Sequence, residues 1–168
     1  MRGNIYLWTG NGWGKTTSAI GAAIRAAGHG YKVVFIQFMK GRMTGEYKLL
    51  SKIKTIDIHL FGRKGWVNLK RPSVADKKRA QRGLEFAKQA AKKKPFLLVL
   101  DEINLAVAVG LLKENDVVDF LKSADKKVHI YLTGRRATSA LKKTADFINS
   151  VDMKKGPKKL AGERGIDY

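Results

Sequence analysis

The 168-residue sequence has no cysteine, which excludes disulfides and thiolate metal sites and fits a reducing cytoplasm. No segment reaches the roughly 18 apolar residues of a membrane span. The most apolar stretches are Phe96–Leu100 and Ile103–Leu112, and Asn104 interrupts the second. A strand pattern begins at Ile5, which leaves no room for a secretory leader. No internal repeat or linker stands out, so one domain over residues 1–168 is expected, with an irregular tail from about Lys154. Acidic residues are scarce: 14 stand against 34 basic ones, for a net charge of +20. Such an excess calls for an anionic partner, whether nucleic acid, a nucleoside triphosphate or an acidic macromolecule. The lysines, however, fall in many separate segments, Lys92–Lys94, Lys126-Lys127, Lys142-Lys143 and Lys154 to Lys159. Aromatics do not interleave with them as a base-stacking platform requires. A lysine-coated surface is the preferred reading, and nucleic acid is disfavoured as a partner.

The richest segment is Thr9-Gly10-Asn11-Gly12-Trp13-Gly14-Lys15-Thr16-Thr17. It follows the apolar run Ile5–Trp8 and opens a small-residue helix, Ser18 to Ala27. Three glycines let the backbone turn its N–H groups inward, and a helix N-terminus adds partial positive charge at the same point. Lys15 brings a full charge, and Thr16 a hydroxyl suited to magnesium. This is the pattern of a phosphate-binding loop, G-x-x-x-x-G-K-[ST], with Thr9 in place of its first glycine. A plain glycine-rich turn is the bland alternative, and the strand–loop–helix context weighs against it.

Strands and helices alternate along the rest of the chain. Lys32–Phe38 and Thr55–Leu60 read as strands. A helix from about Val74 to Lys94 places Ala80, Leu84, Ala87 and Ala91 on one face, and Pro95 stops it. Phe96–Leu100 reads as a strand buried on both faces, Lys113–Lys122 as a helix and Val128–Leu132 as a strand. Ala137–Lys143 reads as a helix and Phe147–Val151 as a last strand. The pattern predicts an α/β fold with a mostly parallel sheet flanked by helices, a P-loop architecture of the RecA-like kind.

The buried-strand run Leu97–Leu100 ends in Asp101-Glu102. In a chain with a phosphate loop, these carboxylates and Thr16 read as the oxygen set for a magnesium ion. The alternative is that Asp101 caps a following helix. His29, His59 and His129 are isolated and read as structural.

With these residues in place, the chain resembles the cob(I)alamin-type corrinoid adenosyltransferases that have a phosphate-loop fold. The loop resembles that family's T-G-N-G-K-G-K-T-T, and Arg25-Ala26-Ala27-Gly28-His29-Gly30 its R-A-x-G-H-G. Gln37-Phe38-x-Lys40-Gly41 matches Q-F-x-K-G, and Gly45-Glu46 matches G-E. Leu100-Asp101-Glu102-x-Asn104 resembles L-D-E-x-N, Thr133-Gly134-Arg135 matches T-G-R, and Gly165-Ile166-Asp167-Tyr168 resembles the closing G-I-[DE]-[YF]. The motifs fall in family order over nearly the whole chain. Three departures stand out. Trp13 replaces a loop lysine, the family's G-F-T-W appears as Gly65-Trp66-Val67-Asn68, and its P-V-K-H-x-F is reduced to Met153–Pro157.

The resemblance implies transfer of the 5′-deoxyadenosyl group of ATP to cobalt(I) of a corrinoid, with triphosphate released. It implies ATP, magnesium and a corrinoid as ligands, and a homodimer as the expected assembly. It casts Lys15 as the catalytic cation, the loop from Thr9 to Thr17 with Arg135 as the nucleotide site, and Trp66 as an aromatic near the lower corrinoid face. A surface arginine and a buried, strand-anchoring tryptophan are the bland alternatives for the last two. Two other functions stay open: a nucleic-acid-associated ATPase in which Glu102 orients water, and a nucleotide-binding regulatory module without turnover.

Overall fold

A computed structural model describes residues 3–156 and 163–166. Pro157, Gly162, Asp167 and Tyr168, which carry parts of the expected tail and closing motif, lie outside the described residues. The strands are β1 (Ile5–Thr9), β2 (Val33–Lys40), β3 (Ile56–Arg63), β4 (Leu97–Asp101), β5 (His129–Thr133) and β6 (Phe147–Ser150). The helices are α1 (Lys15–Gly28), α2 (Gly45–Leu50), α3 (Val74–Lys92), α4 (Ile103–Ala108), α5 (Glu114–Ser123) and α6 (Ser139–Thr144). The strands form one sheet in the order β3-β2-β4-β5-β1-β6, and every pairing is parallel. This is the expected α/β architecture, with the sheet wholly rather than mostly parallel.

Strand alternation sorts the core into two layers. In β4, Leu97 and Val99 join the layer under α1, while Leu98 and Leu100 join the layer under α3 and α5. The layer under α1 is built on Ala19, Ala23 and Ala26, whose small side chains let the helix lie close on Phe35, Val99 and Tyr131. On the opposite face Ala80, Leu84, Ala87 and Ala91 are all buried, as the helical spacing predicts. A capping box starts α3: the Ser73 hydroxyl accepts from the Asp76 N–H at 3.1 Å, and the Asp76 carboxylate accepts from the Ser73 N–H at 3.3 Å.

Two short helices, α2 and α4, were not expected. α4 is buried along Ile103–Val107. With no polar stripe it shows no amphipathic period, so Ile103–Leu112 reads in sequence only as an apolar stretch. In a parallel sheet every strand points its C-terminal end the same way. The loops after all six strands therefore share one edge, where α/β sheets place their ligands.

Candidate active site

The phosphate loop leaves β1 at Thr9 and enters α1 at Lys15. Gly14 caps α1 with φ 98°, a left-handed conformation in which a side chain is strained. Gly10 and Gly12 lie against the chain just after β6: an added Cβ would meet the Val151 carbonyl oxygen at 2.4 and 2.7 Å. The Gly12 N–H donates to that carbonyl at 2.6 Å, and the Val151 N–H donates to Thr9 at 2.9 Å. The loop is thus stitched to the last strand. Asn11, Trp13 and Thr17 are exposed on its rim.

Lys15 is buried, and its ammonium donates to the Gly12 carbonyl. Burial pulls its pKa below the ordinary lysine value; Glu102 and Asp101 oppose that shift, while Arg135 adds to it. Arg135 itself is exposed at the end of β5. Its charge is felt at both Lys15 and Glu102.

Asp101 closes β4 and is fully buried. Its Oδ1 accepts from the Thr16 hydroxyl at 2.8 Å and the Thr133 hydroxyl at 2.6 Å. Its Oδ2 accepts from the Gln37 amide at 3.0 Å and the Lys40 ammonium at 2.9 Å. Burial pushes this carboxyl up, but Lys40 and the Thr133 and Gln37 hydrogen bonds outweigh it and hold the group below the usual aspartate range. Lys40 also reaches Glu46 at 3.9 Å, in the first turn of α2. The helix-cap alternative for Asp101 fails: α4 does follow, but Asp101 makes none of its bonds to that helix.

Glu102 holds the N-cap position of α4 with φ 64°, without a side-chain cap bond. Its N–H donates to the Thr133 hydroxyl at 2.9 Å, while its Oε2 is buried with no hydrogen-bond partner. Burial, and then the neighbouring Asp101 charge, raise its pKa above the ordinary glutamate value. A buried, unpartnered carboxylate oxygen beside a phosphate loop is the donor a cation would satisfy. The Thr16 hydroxyl spends its proton on Asp101 and keeps its lone pairs to offer to a cation. Asp101, with both oxygens doubly engaged, has no such capacity left. The oxygen set fits a magnesium ion that keeps water and phosphate in its shell.

Gln37, Lys40 and Thr133 carry this arrangement, and none was singled out as a site residue from the sequence. The family motifs did contain all three. Asn104 was read as a break in an apolar run and as part of the L-D-E-x-N motif, without a role of its own; its amide donates to the Trp8 and Gly134 carbonyls at 3.1 and 3.2 Å and ties the ends of β1 and β5 together.

Trp66 lies in the loop after β3 and is 93% exposed, so the buried-anchor alternative is wrong. Val67 packs on the core instead. β3 and β1 are four strand spacings apart, so the strands that lead into the Trp66 loop and the phosphate loop lie roughly 19 Å apart across the sheet. Of the three histidines read as structural, His129 accepts from the Asn4 N–H and His59 packs on Phe86 with ring centroids 4.2 Å apart.

The profile of a family described as ATP:corrinoid adenosyltransferase BtuR/CobO/CobP matches residues 1–168. The chain belongs to this family. It is 30% identical to a corrinoid adenosyltransferase of Pseudomonas aeruginosa, over 99% of this chain and 84% of that protein. Relatives of the same name from a Sinorhizobium species and Escherichia coli K12 are also 30% identical, over 99% of this chain and 81% and 86% of theirs. Membership covers the phosphate loop, the Asp101 network and the Trp66 loop alike. No helix among the described residues is long and apolar enough to cross a membrane.

Proposed function

We propose that this protein transfers the 5′-deoxyadenosyl group of ATP to cobalt(I) of a corrinoid, as a single domain over residues 1–168. The observation that carries the reading is the Thr16–Asp101–Lys40 network, which joins the phosphate loop to the β2–β4 side of the edge where Trp66 lies. The cobalt(I) of the substrate supplies the electron pair. A cobalt–carbon bond forms at the ribose 5′ carbon, the bond from that carbon to the α-phosphate oxygen breaks, and the pair leaves on triphosphate. No protein base is required.

The chain's task is to hold ATP and receive negative charge. Backbone N–H groups of the Thr9–Thr17 loop other than that of Gly12 cradle the phosphates, and Lys15 exchanges its Gly12 carbonyl for a phosphate oxygen. Arg135 adds a second cation to the same phosphates. Thr16 and Glu102 are the residues that would hold magnesium, with Asp101 acting through Thr16. The ion would neutralise the leaving triphosphate. Trp66 presents an aromatic face to the corrinoid. We place the activity in the cytoplasm and the assembly as a homodimer, both testable apart from the chemistry.

The test incubates the protein with ATP, magnesium and chemically reduced corrinoid, following the alkylated-cobalt spectrum and the phosphate products. Adenosylated corrinoid with stoichiometric triphosphate is expected. An ATP analogue with a non-hydrolysable β–γ bridge should still react, because that bridge is not broken. Brisk corrinoid-independent phosphate release, with no product from the analogue, would overturn the reading in favour of an ATPase.

A further inference from the structure

Asp101 and Glu102 are neighbours in sequence, but the fold treats them differently. Asp101 has four partners, whereas Glu102 Oε2 has none. One of the four is a cation. The Lys40 ammonium lies 2.9 Å from Asp101 Oδ2 and 3.9 Å from Glu46, so a single positive charge faces two carboxylates. The same Oδ2 accepts from the Gln37 amide, whose own Oε1 is buried with no hydrogen-bond partner. Carboxylates and an amide oxygen are the donors that a hard divalent cation takes. Here the charge they meet is covalently fixed to β2.

The backbone is bent to put it there. Side chains alternate along a regular strand, so Gln37 and Lys40 would point to opposite faces. Both nonetheless bond the same Asp101 oxygen, at 3.0 and 2.9 Å. Between them Met39 takes φ 61°, left-handed for a residue with a side chain. That residue breaks the alternation and turns Lys40 to the side of Gln37. Backbone strain of this kind gathers at functional positions, where the surroundings hold it.

We infer that Lys40 is a positioning residue that fills a second cation position: its ammonium occupies Asp101 and Glu46, and a divalent ion is left with Thr16 and Glu102. The inference rests on the reading of Thr16 and Glu102 as the residues that would hold magnesium, and deepens it. Glu102 already feels the charges of Lys40, Arg135 and Lys15. A bare divalent ion entering among three cations is repelled, whereas one that arrives on a triphosphate is not. Lys40 thereby ties metal uptake to ATP.

The experiment titrates manganese in place of magnesium and reads the bound ion by electron spin resonance, with Tm beside it, so it needs no turnover. The parent should take up manganese with ATP and not without it. Lys40→Met removes the charge and should bind manganese alone at least about tenfold more tightly than the parent, with a rise in Tm. Lys40→Arg keeps a cation and should behave as the parent. The double variant Lys40→Met, Asp101→Asn should lose the gain. A Lys40→Met chain that binds manganese no better than the parent, folded or not, overturns the inference. So does the same gain in Lys40→Arg, or a gain that the double variant retains. If the parent takes up no manganese even with ATP while Lys40→Met gains it, the metal of the proposed reaction is lost and the place of Lys40 is sustained. Uptake by neither chain overturns both.

Discussion

The two halves of the ligand-bearing edge are built in opposite ways. Around β1, β4 and β5 the groups are buried and tied: Asp101 has four partners, Lys15 is folded onto Gly12, and Asn104 bridges two strand ends. Around β2 and β3 the loops carry an open tryptophan and unpaired cations. On the proposed function the first half meets a triphosphate whose charge is large, and preorganised dipoles are effective there. On the same proposal the second admits a broad, flat corrinoid and releases it, which an exposed surface allows. Buried, hydrogen-bonded groups are concentrated in one half and exposed ones in the other.

That contrast can be broken most forcefully at Asp101. Asp101→Asn removes a buried charge that faces Lys40, and should cost about 3 kcal/mol. This is the low end for breaking a buried pair, since Lys40 keeps some water and Glu46. The parent carboxyl is held below its ordinary value of 3.8, so its contribution is full above that pH and lost as pH falls through the folded value. Melting curves of parent and variant should therefore converge in acid. A deficit that persists there would mean the loss is steric.

Lys15→Ala tests the same half through its ligand. ATP with magnesium at 100 times its Kd should stabilise the parent by about 2.7 kcal/mol, and the variant should lose most of that shift. An unchanged shift would remove the loop from the nucleotide site.

Glu102→Gln should act with the opposite sign on stability. The raised pKa means the protonated form suits the folded state, so this favourable contribution is present below the ordinary value of 4.5 and lost as pH rises through the folded value. At neutral pH the amide should raise Tm, by about 2–4 °C for each kcal/mol gained, and blunt the response to magnesium with ATP. A variant that melts lower at neutral pH would show that the carboxylate is paired rather than stranded.

The smallest effect on stability is expected at Trp66. Trp66→Ala should change folding free energy by no more than about 0.5 kcal/mol, as for other exposed sites. Adenosylation should fall while ATP affinity stays. If the variant unfolds, the open half is not open; if it keeps full activity, the indole plays no part in corrinoid handling.

How much of this was legible in the sequence follows the same divide. The phosphate loop was readable because its parts are contiguous and sit between a strand and a helix. Asp101-Glu102 was readable as the end of a continuous apolar strand. Apart from Thr16, the partners of Asp101 were not. Gln37 and Lys40 lie more than 60 positions away and meet it only because β2 pairs with β4, placing Gln37 opposite Asp101. No local period encodes which strand neighbours which. Trp66 was ambiguous for another reason. A tryptophan between a strand and a helix is equally at home inside or outside, and Val67 took the inner place.

The Val151 carbonyl that backs Gly10 and Gly12 gives the nucleotide loop a late birthday. It follows β6, an edge strand whose four residues are all exposed and which is the last strand of the sheet to leave the ribosome. A nascent chain that already carries Lys15, Asp101 and Trp66 still lacks the wall against which its loop is held. If the loop holds ATP as proposed, its backing against Val151 is completed only once β6 is in place. The grip should work in reverse as well: bound nucleotide clamps the least sheltered strand in place, and the amide protons of β6 should exchange more slowly when ATP is present.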